Sequence, residues 1–191
     1  FFSLYLRDLT DIEKAALEDA LVEVYRNAGI TWDTDPADIP SDKWPTTKEL
    51  YEYCVGQTKT NPETYGRLAV LLKRCAEGAD ANLWAGPSTA KAESDLIVLD
   101  VHDLQNADEG VRKAQYFNVL SFAWNIIERD RQERTILVVD EAWLLVDPQT
   151  PQALAFLRDT SKRIRKYMGS LVVISQNVID FLAPEVQRYG Q

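Results

Sequence analysis

Apolar and polar positions follow two different rhythms along the chain. Up to about residue 94 the spacing is helical. Thr10-Asp11-Ile12-Glu13 reads as a capping box; Leu17, Leu21 and Val24 then share one helical face, and Gly29 ends the run. A loop rich in Asp and Pro covers 31–45. A second capping box, Thr46-Thr47-Lys48-Glu49, opens a short helix that stops at Gly56. Asn61-Pro62 supplies a cap and a first-turn proline for a further helix. Leu68, Leu71, Leu72 and Cys75 fall on its inner face, and Gly78 ends it.

From Leu96 onward, short apolar runs alternate with helical stretches. Residues 96–101 form an apolar run that includes Asp100. Residues 111–129 are helical, with Phe117, Leu120, Phe122, Trp124 and Ile127 offering a broad buried surface. Thr135 to Val139 is β-branched and apolar and closes on Asp140-Glu141. Residues 151–167 are helical, with Leu154, Leu157 and Ile164 inward. Residues 170–175 form another apolar strand, capped by Gln176-Asn177, and 178–182 and 184–189 read as short helical pieces. Continuous apolar strands between helices predict a parallel sheet covered on both faces. The fold class expected is therefore α/β, preceded by an all-helical region, with strands near 96–100, 135–140 and 170–175 in one sheet.

Composition narrows the function. The 191 residues are 46% hydrophobic, enough for a packed core, and the formal net charge is -9. An acidic chain is a poor non-specific partner for phosphate backbones or anionic lipid. Cys54 and Cys75 lie inside helical patterns without C-x-x-C spacing, which predicts buried free thiols. No apolar run approaches the roughly 20 residues of a transmembrane helix. The chain begins at Phe1 and reads as part of a longer protein.

The chemistry concentrates at strand ends. Ile136-Leu-Val-Val-Asp140-Glu141-Ala142-Trp143 has the form of a Walker B run, and in open α/β sheets the carboxyl ends of the strands border the ligand crevice. There Asp140 can hold magnesium through water, and Glu141 can orient an attacking water for phosphoryl transfer. The bland alternative is an apolar strand followed by an acidic turn. Gln176 closes the next strand and, in a parallel sheet, stands beside Asp140. It can sense a γ-phosphate or the attacking water, or simply cap the next helix. Arg158, Lys162, Arg163, Arg165 and Lys166 form a basic segment in an acidic chain. This is either a solvated helix face or an anion site toward a neighbouring subunit. His102, the sole histidine, reads as part of a polar loop. Trp84 and Trp143 read as core or lid aromatics. No G-x-x-x-x-G-K-[ST] occurs, so the phosphate cradle of a P-loop enzyme is expected upstream of Phe1, or the chain is no P-loop protein.

Taken in order, these segments resemble the VirB-type conjugation ATPases (the TraC, TrbE and TraE-like proteins of type IV secretion) within the FtsK/HerA group of RecA-like motors. The resemblance runs through Leu83-Trp-Ala-Gly-Pro-Ser-Thr89, Leu96 to Leu104, Ile136 to Trp143, Arg163 to Gly169 and Ser175 to Asp180. It implies an all-helical insertion over 1–94 and the Walker B half of a RecA-like core over 95–191. It further implies an ATP- and magnesium-dependent ATPase working as an oligomer, a hexamer by analogy. Such an enzyme docks at the cytoplasmic face of the membrane on secretion channel components and a coupling protein, without sequence-specific nucleic-acid contact. Carried over by residue, Asp140 is the magnesium-side carboxylate, Glu141 the catalytic one, Gln176 the sensor and Arg165 the arginine finger, with Arg163 as second candidate. Without a Walker A loop, this stretch alone is expected to be inactive. The alternatives are a DNA-pumping relative and a non-catalytic docking module.

Overall fold

A computed structural model describes residues 1–6, 8–92, 94–142 and 151–176. The expectations for Trp143, Asn177 and the helical pieces over 178–189 lie outside the described residues. The chain forms two compact units, Leu6–Glu93 on the one hand and Phe1–Tyr5 with Ser94 onward on the other.

Among the described residues the first unit contains four α-helices, α2 (Asp11–Asn27), α3 (Thr47–Gln57), α4 (Pro62–Ala76) and α5 (Ala81–Trp84), with two short 3-10 turns between α2 and α3. Both capping boxes form: Thr10 and Glu13 bond reciprocally at the start of α2, as do Thr46 and Glu49 at α3. Asn61 Oδ1 accepts from Thr64 N–H at 3.1 Å and caps α4. Each of these bonds satisfies an N-terminal amide that the helix itself leaves unpaired. Thr47 Oγ1 lies 3.1 Å from Cys75 O and 3.0 Å from Trp84 O, so the start of α3 meets the ends of α4 and α5 and the two longer helices run antiparallel.

Leu50, Cys54, Leu68, Leu72 and Cys75 are fully buried between these helices, and Trp84 is buried beside them. Each such leucine contributes roughly 1.5–3 kcal/mol by leaving water. Leu71, expected inward, is only half-buried. Both cysteines are free, and burial pushes the Cys54 thiol up to about 11, which leaves it unreactive near neutrality. Glu13 and Asp80 are buried acids of this unit, Asp80 paired with Arg74 and Glu13 capping α2. The hydrogen bonds to Glu13 from Thr10, helped by Arg67 Nη1 at 3.1 Å from Oε1, hold its carboxyl below the usual range against the cost of burial.

The second unit contains α1 (Phe2–Tyr5), α6 (Glu109–Arg129), β1 (Thr135–Val139), α7 (Pro151–Arg163) and β2 (Gly169–Val173). The strands pair in parallel with Thr135 opposite Gly169 and Val139 opposite Val173. Leu137 and Leu171 turn inward against Tyr116 and Leu120 of α6 and Leu154 and Leu157 of α7. The fold is thus α/β, with two adjacent parallel strands joined through a helix.

Three expectations are corrected. Residues 96–100 form no strand: Leu96 and Val98 are 77% and 78% exposed, and this segment pairs with no neighbour among the described residues. A strand exists only where its backbone groups find a ladder, which local apolarity cannot supply. Among the described residues the sheet is also covered on one face only, since Ile136, Val138 and Val172 on the other face are exposed. Finally, Phe117 is exposed. The buried positions of α6 are Gly110, Val111 and Ala114, then Tyr116, Leu120 and Ile127. Among the described residues no helix is long and apolar enough to cross a membrane.

Candidate active site at the carboxyl ends of the strands

Because β1 and β2 are parallel and in register, the residues that follow them emerge at one edge. The ladder continues past both strands. Ile174 N–H donates to Val139 O at 2.8 Å, and Ile174 O accepts from Ala142 N–H at 2.9 Å. A regular parallel ladder would use the amide of residue 141 for the second bond. One extra residue is therefore accommodated at Asp140-Glu141, in the manner of a β-bulge. The amide displaced from the ladder is not lost: Glu141 N–H donates to Asp140 Oδ1 at 2.9 Å. Glu141 takes φ 50°, the left-handed region that side chains other than glycine rarely adopt.

The bulge has two consequences. Ala142, fully buried, is drawn into the core with Val139, Leu154 and Leu157, which anchors the turn from below. The two carboxylates are pushed to the surface of the edge. Across the strand gap, Gln176 Nε2 donates to Glu141 Oε1 at 2.9 Å. Asp140 and Gln176 are both exposed, with Glu141 half-buried between them. Three of the residues expected to form the site therefore stand together at the end of the sheet. One Asp140 oxygen is used by the Glu141 amide, and the other has no partner among the described residues. A single hard carboxylate oxygen fits magnesium, which takes one or two carboxylates and fills its remaining positions with water and phosphate oxygens. No group of three or more metal-ligating side chains gathers among the described residues.

The basic segment lies at the other end of β2. Its residues enter a 3-10 turn, Ile164–Tyr167, and the chain then reverses through Met168 at φ 53° into Gly169. A Cβ on Gly169 would stand 2.5 Å from Ile164 Cγ1, so glycine is required for so tight an entry. The two arginines separate here. Arg163 stacks on the Trp124 ring at 4.7 Å and approaches Glu128 at 3.8 Å. Glu128 also accepts from Tyr167 Oη at 2.9 Å and Trp124 Nε1 at 3.1 Å. Arg165 is exposed and its side chain forms no hydrogen bond or ion pair among the described residues. Arg158 pairs with Asp159 at 3.1 Å, while Lys162 and Lys166 are exposed. His102 sits in an exposed 3-10 turn whose start is held by Asp100, and it joins no site.

Sequence reading missed two features. The bulge depends on hydrogen bonds from β2, a partner about 35 residues away in the chain, so no local signal marks it. The Trp124–Glu128–Tyr167–Arg163 cluster likewise unites two segments. Only the i, i+4 spacing of Trp124 and Glu128 hinted at it.

No protein-family model matches the chain, and no curated protein sequence does. Among solved structures, VirB4 of Thermoanaerobacter pseudethanolicus matches with a TM-score of 0.88 and 81% identity over 99% of the chain. This is a VirB4-type chain. The resemblance drawn from its motifs agrees with that likeness, and 81% identity is far above the level at which folds diverge. The VirB4-type chain spans 51% of the length of that solved relative.

Proposed function

We propose that this chain contributes the Walker B half of the nucleotide site of a type IV secretion ATPase with a RecA-like core. The observation that carries the reading is the 2.9 Å bond from Gln176 to Glu141 at the shared carboxyl edge of two parallel strands. A solvated acidic turn needs no such partner. In the intact protein, magnesium bound to ATP would be held by Asp140 through water and would offset charge on the phosphates. Glu141 orients the attacking water toward the γ-phosphate. The amide of Gln176 fixes the Glu141 carboxylate through Oε1 and so sets the direction from which that carboxylate meets the water. This is the positioning work that phosphoryl transfer asks of a protein.

The remaining parts of the reading follow from kinship with VirB4 and from the surface. The intact enzyme works as an oligomer, a hexamer by analogy, with Arg165 offered to the neighbouring subunit. It is peripheral at the cytoplasmic face of the membrane and engages secretion channel components and a coupling protein. Residues 1–94 act as an all-helical insertion and 95–191 as part of the ATPase core. The present stretch has no phosphate-binding loop and should hydrolyse ATP negligibly by itself.

The test is Glu141→Gln in the full-length protein. Hydrolysis should fall by about 10²-fold or more, the usual worth of a positioned base, while a fluorescent ATP analogue still binds with little change. Normal turnover by Glu141→Gln would return the carboxylate pair to a structural role.

A further inference from the structure

The helical unit has a surface that the ATPase reading does not use. The last two turns of α2 and the turn beyond them form an open groove of about 570 Å³, lined by Leu21, Val22, Tyr25, Arg26, Ile30, Thr31 and Trp32. Trp32 is 92% exposed. A side chain of this size can bury roughly 150–250 Å² on contact with a partner. We propose that this groove docks a basic, amphipathic segment of a partner protein.

The groove is built in advance of any occupant. Gly29, at φ 78°, turns the chain out of α2, and Ile30 N–H returns to Tyr25 O at 3.0 Å. Thr31 N–H donates to Thr34 Oγ1 at 2.9 Å, and Thr34 N–H donates to Thr31 O at 3.1 Å. This closed turn presents Trp32 outward. Tyr25 is braced from behind by Trp44, with ring centroids 6.2 Å apart. Arg26 is held by Glu23. A Trp on a closed turn, a Tyr and an Arg at one apolar groove are the residue types that dominate binding energy at interfaces. The closed turn and the held Tyr25 and Arg26 remove part of the entropy cost of binding.

Charge selects the class of occupant. Asp33, Asp35, Asp38 and Asp42 follow the tryptophan and are all exposed, and Lys43 is the sole cation within residues 31–45. Nucleic acid and anionic lipid would be repelled by these carboxylates. A segment with Lys or Arg on one side and apolar residues on the other satisfies both the groove and the acidic stretch that leads away from Trp32.

The experiment places a photoreactive benzoylphenylalanine at Val22 of the full-length protein, in cells that contain its natural partners. Val70, an exposed apolar position of α4 away from the groove, serves as the control site. A crosslink should form from position 22 and not from position 70. Its captured peptide, sequenced by mass spectrometry, should come from another protein and combine Lys or Arg with apolar residues. Trp32→Ala should lower the yield by at least about tenfold, as expected of a central aromatic anchor. The triple change Asp33→Asn, Asp35→Asn and Asp38→Asn should also lower it; Asn at 35 keeps the cap to Ala37. Unchanged helical circular dichroism must accompany both losses. Capture of a second copy, of another part of the same chain or of lipid overturns the proposal. So does an absent crosslink, or one that both sets of variants leave intact.

Discussion

Glu141 stands in a left-handed backbone conformation, φ 50°, at the one place where the β1–β2 ladder admits an extra residue. Such a conformation costs a non-glycine residue about 1–3 kcal/mol, and it persists where the surroundings over-determine it. Here the fixing bonds are Glu141 N–H to Asp140, Ala142 N–H to Ile174 and Gln176 to the Glu141 side chain. Glycine would take the same backbone without strain. Glu141→Gly should therefore raise the unfolding free energy by about 1 kcal/mol, after its own entropy cost, while hydrolysis by the intact protein is lost. Glu141→Gln should lose hydrolysis without that gain, and urea titrations of both variants separate the two. Glu13 gives a pH prediction. Its bonds from Thr10 hold its folded pKa below the ordinary value of 4.5. A depressed carboxylate contributes stability that is complete above the unfolded pKa and fades as pH falls through the folded one. Glu13→Gln should thus melt below the parent at pH 7, and the gap should close as the pH drops below about 4. Thermal melts between pH 7 and 3 check both the sign and the window. The strained residue was not legible in the sequence, because its cause lies in β2. The capping box was, because its partners are three residues apart.

At the scale of elements, the same division between local and distant causes holds. The starts of α2, α3 and α4 follow from Thr10, Thr46 and Asn61, whose side chains act within their own first turns. Both strands were legible as apolar runs that end in polar groups, and their parallel pairing brought Glu141 and Gln176 into contact. The apolar run at 96–100 had the same local character and formed no strand, because pairing is decided by what lies beside a segment. The inner face of α6 was misjudged at Phe117 for a related reason. Its neighbours change along its length, from α1 near Gly110, where Tyr5 O would lie 2.7 Å from an added Cβ, to the sheet core at Tyr116 and Leu120. Tyr116 also buries a hydroxyl with no hydrogen-bond partner among the described residues, and burial pushes its pKa up. A buried donor left unpaired costs about 1–3 kcal/mol. Tyr116→Phe keeps the ring in the core and removes that donor. It should leave the unfolding free energy unchanged or raise it by about 1 kcal/mol, measured by denaturant titration. A loss of more than that would mean the hydroxyl has a partner in the full-length protein.

At the scale of the whole molecule, the parallel sheet separates two kinds of chemistry. The carboxylates and Gln176 emerge at its carboxyl edge, while the basic turn lies where β2 begins, at the opposite edge. Arg165 therefore cannot serve the carboxylates of its own sheet without crossing the length of the strands. The cluster around Trp124 distinguishes the surroundings of the two arginines. Arg163 is committed to the Trp124 ring and Glu128, whereas Arg165, held on the same fixed turn, extends into solvent. A rigid base with an unengaged guanidinium suits action in trans, on a phosphate bound by an adjacent subunit. An arginine finger is worth about 10³–10⁵ in rate. Arg165→Ala in the full-length enzyme should lower hydrolysis within that range and leave ATP affinity and melting temperature nearly unchanged. Arg163→Ala should instead lower the melting temperature, because it empties the face of Trp124. Mixing Arg165→Ala with Glu141→Gln supplies the decisive comparison. Mixed assemblies contain some interfaces with an intact Glu141 on one side and an intact Arg165 on the other, so partial hydrolysis should return as the two are combined. An action in cis predicts no recovery at any ratio, because each subunit then carries one defect in its own site. Recovery must therefore be measured alongside a native mass or labelling assay that demonstrates mixed assemblies. Its absence where they form would reassign the basic turn to a docking surface.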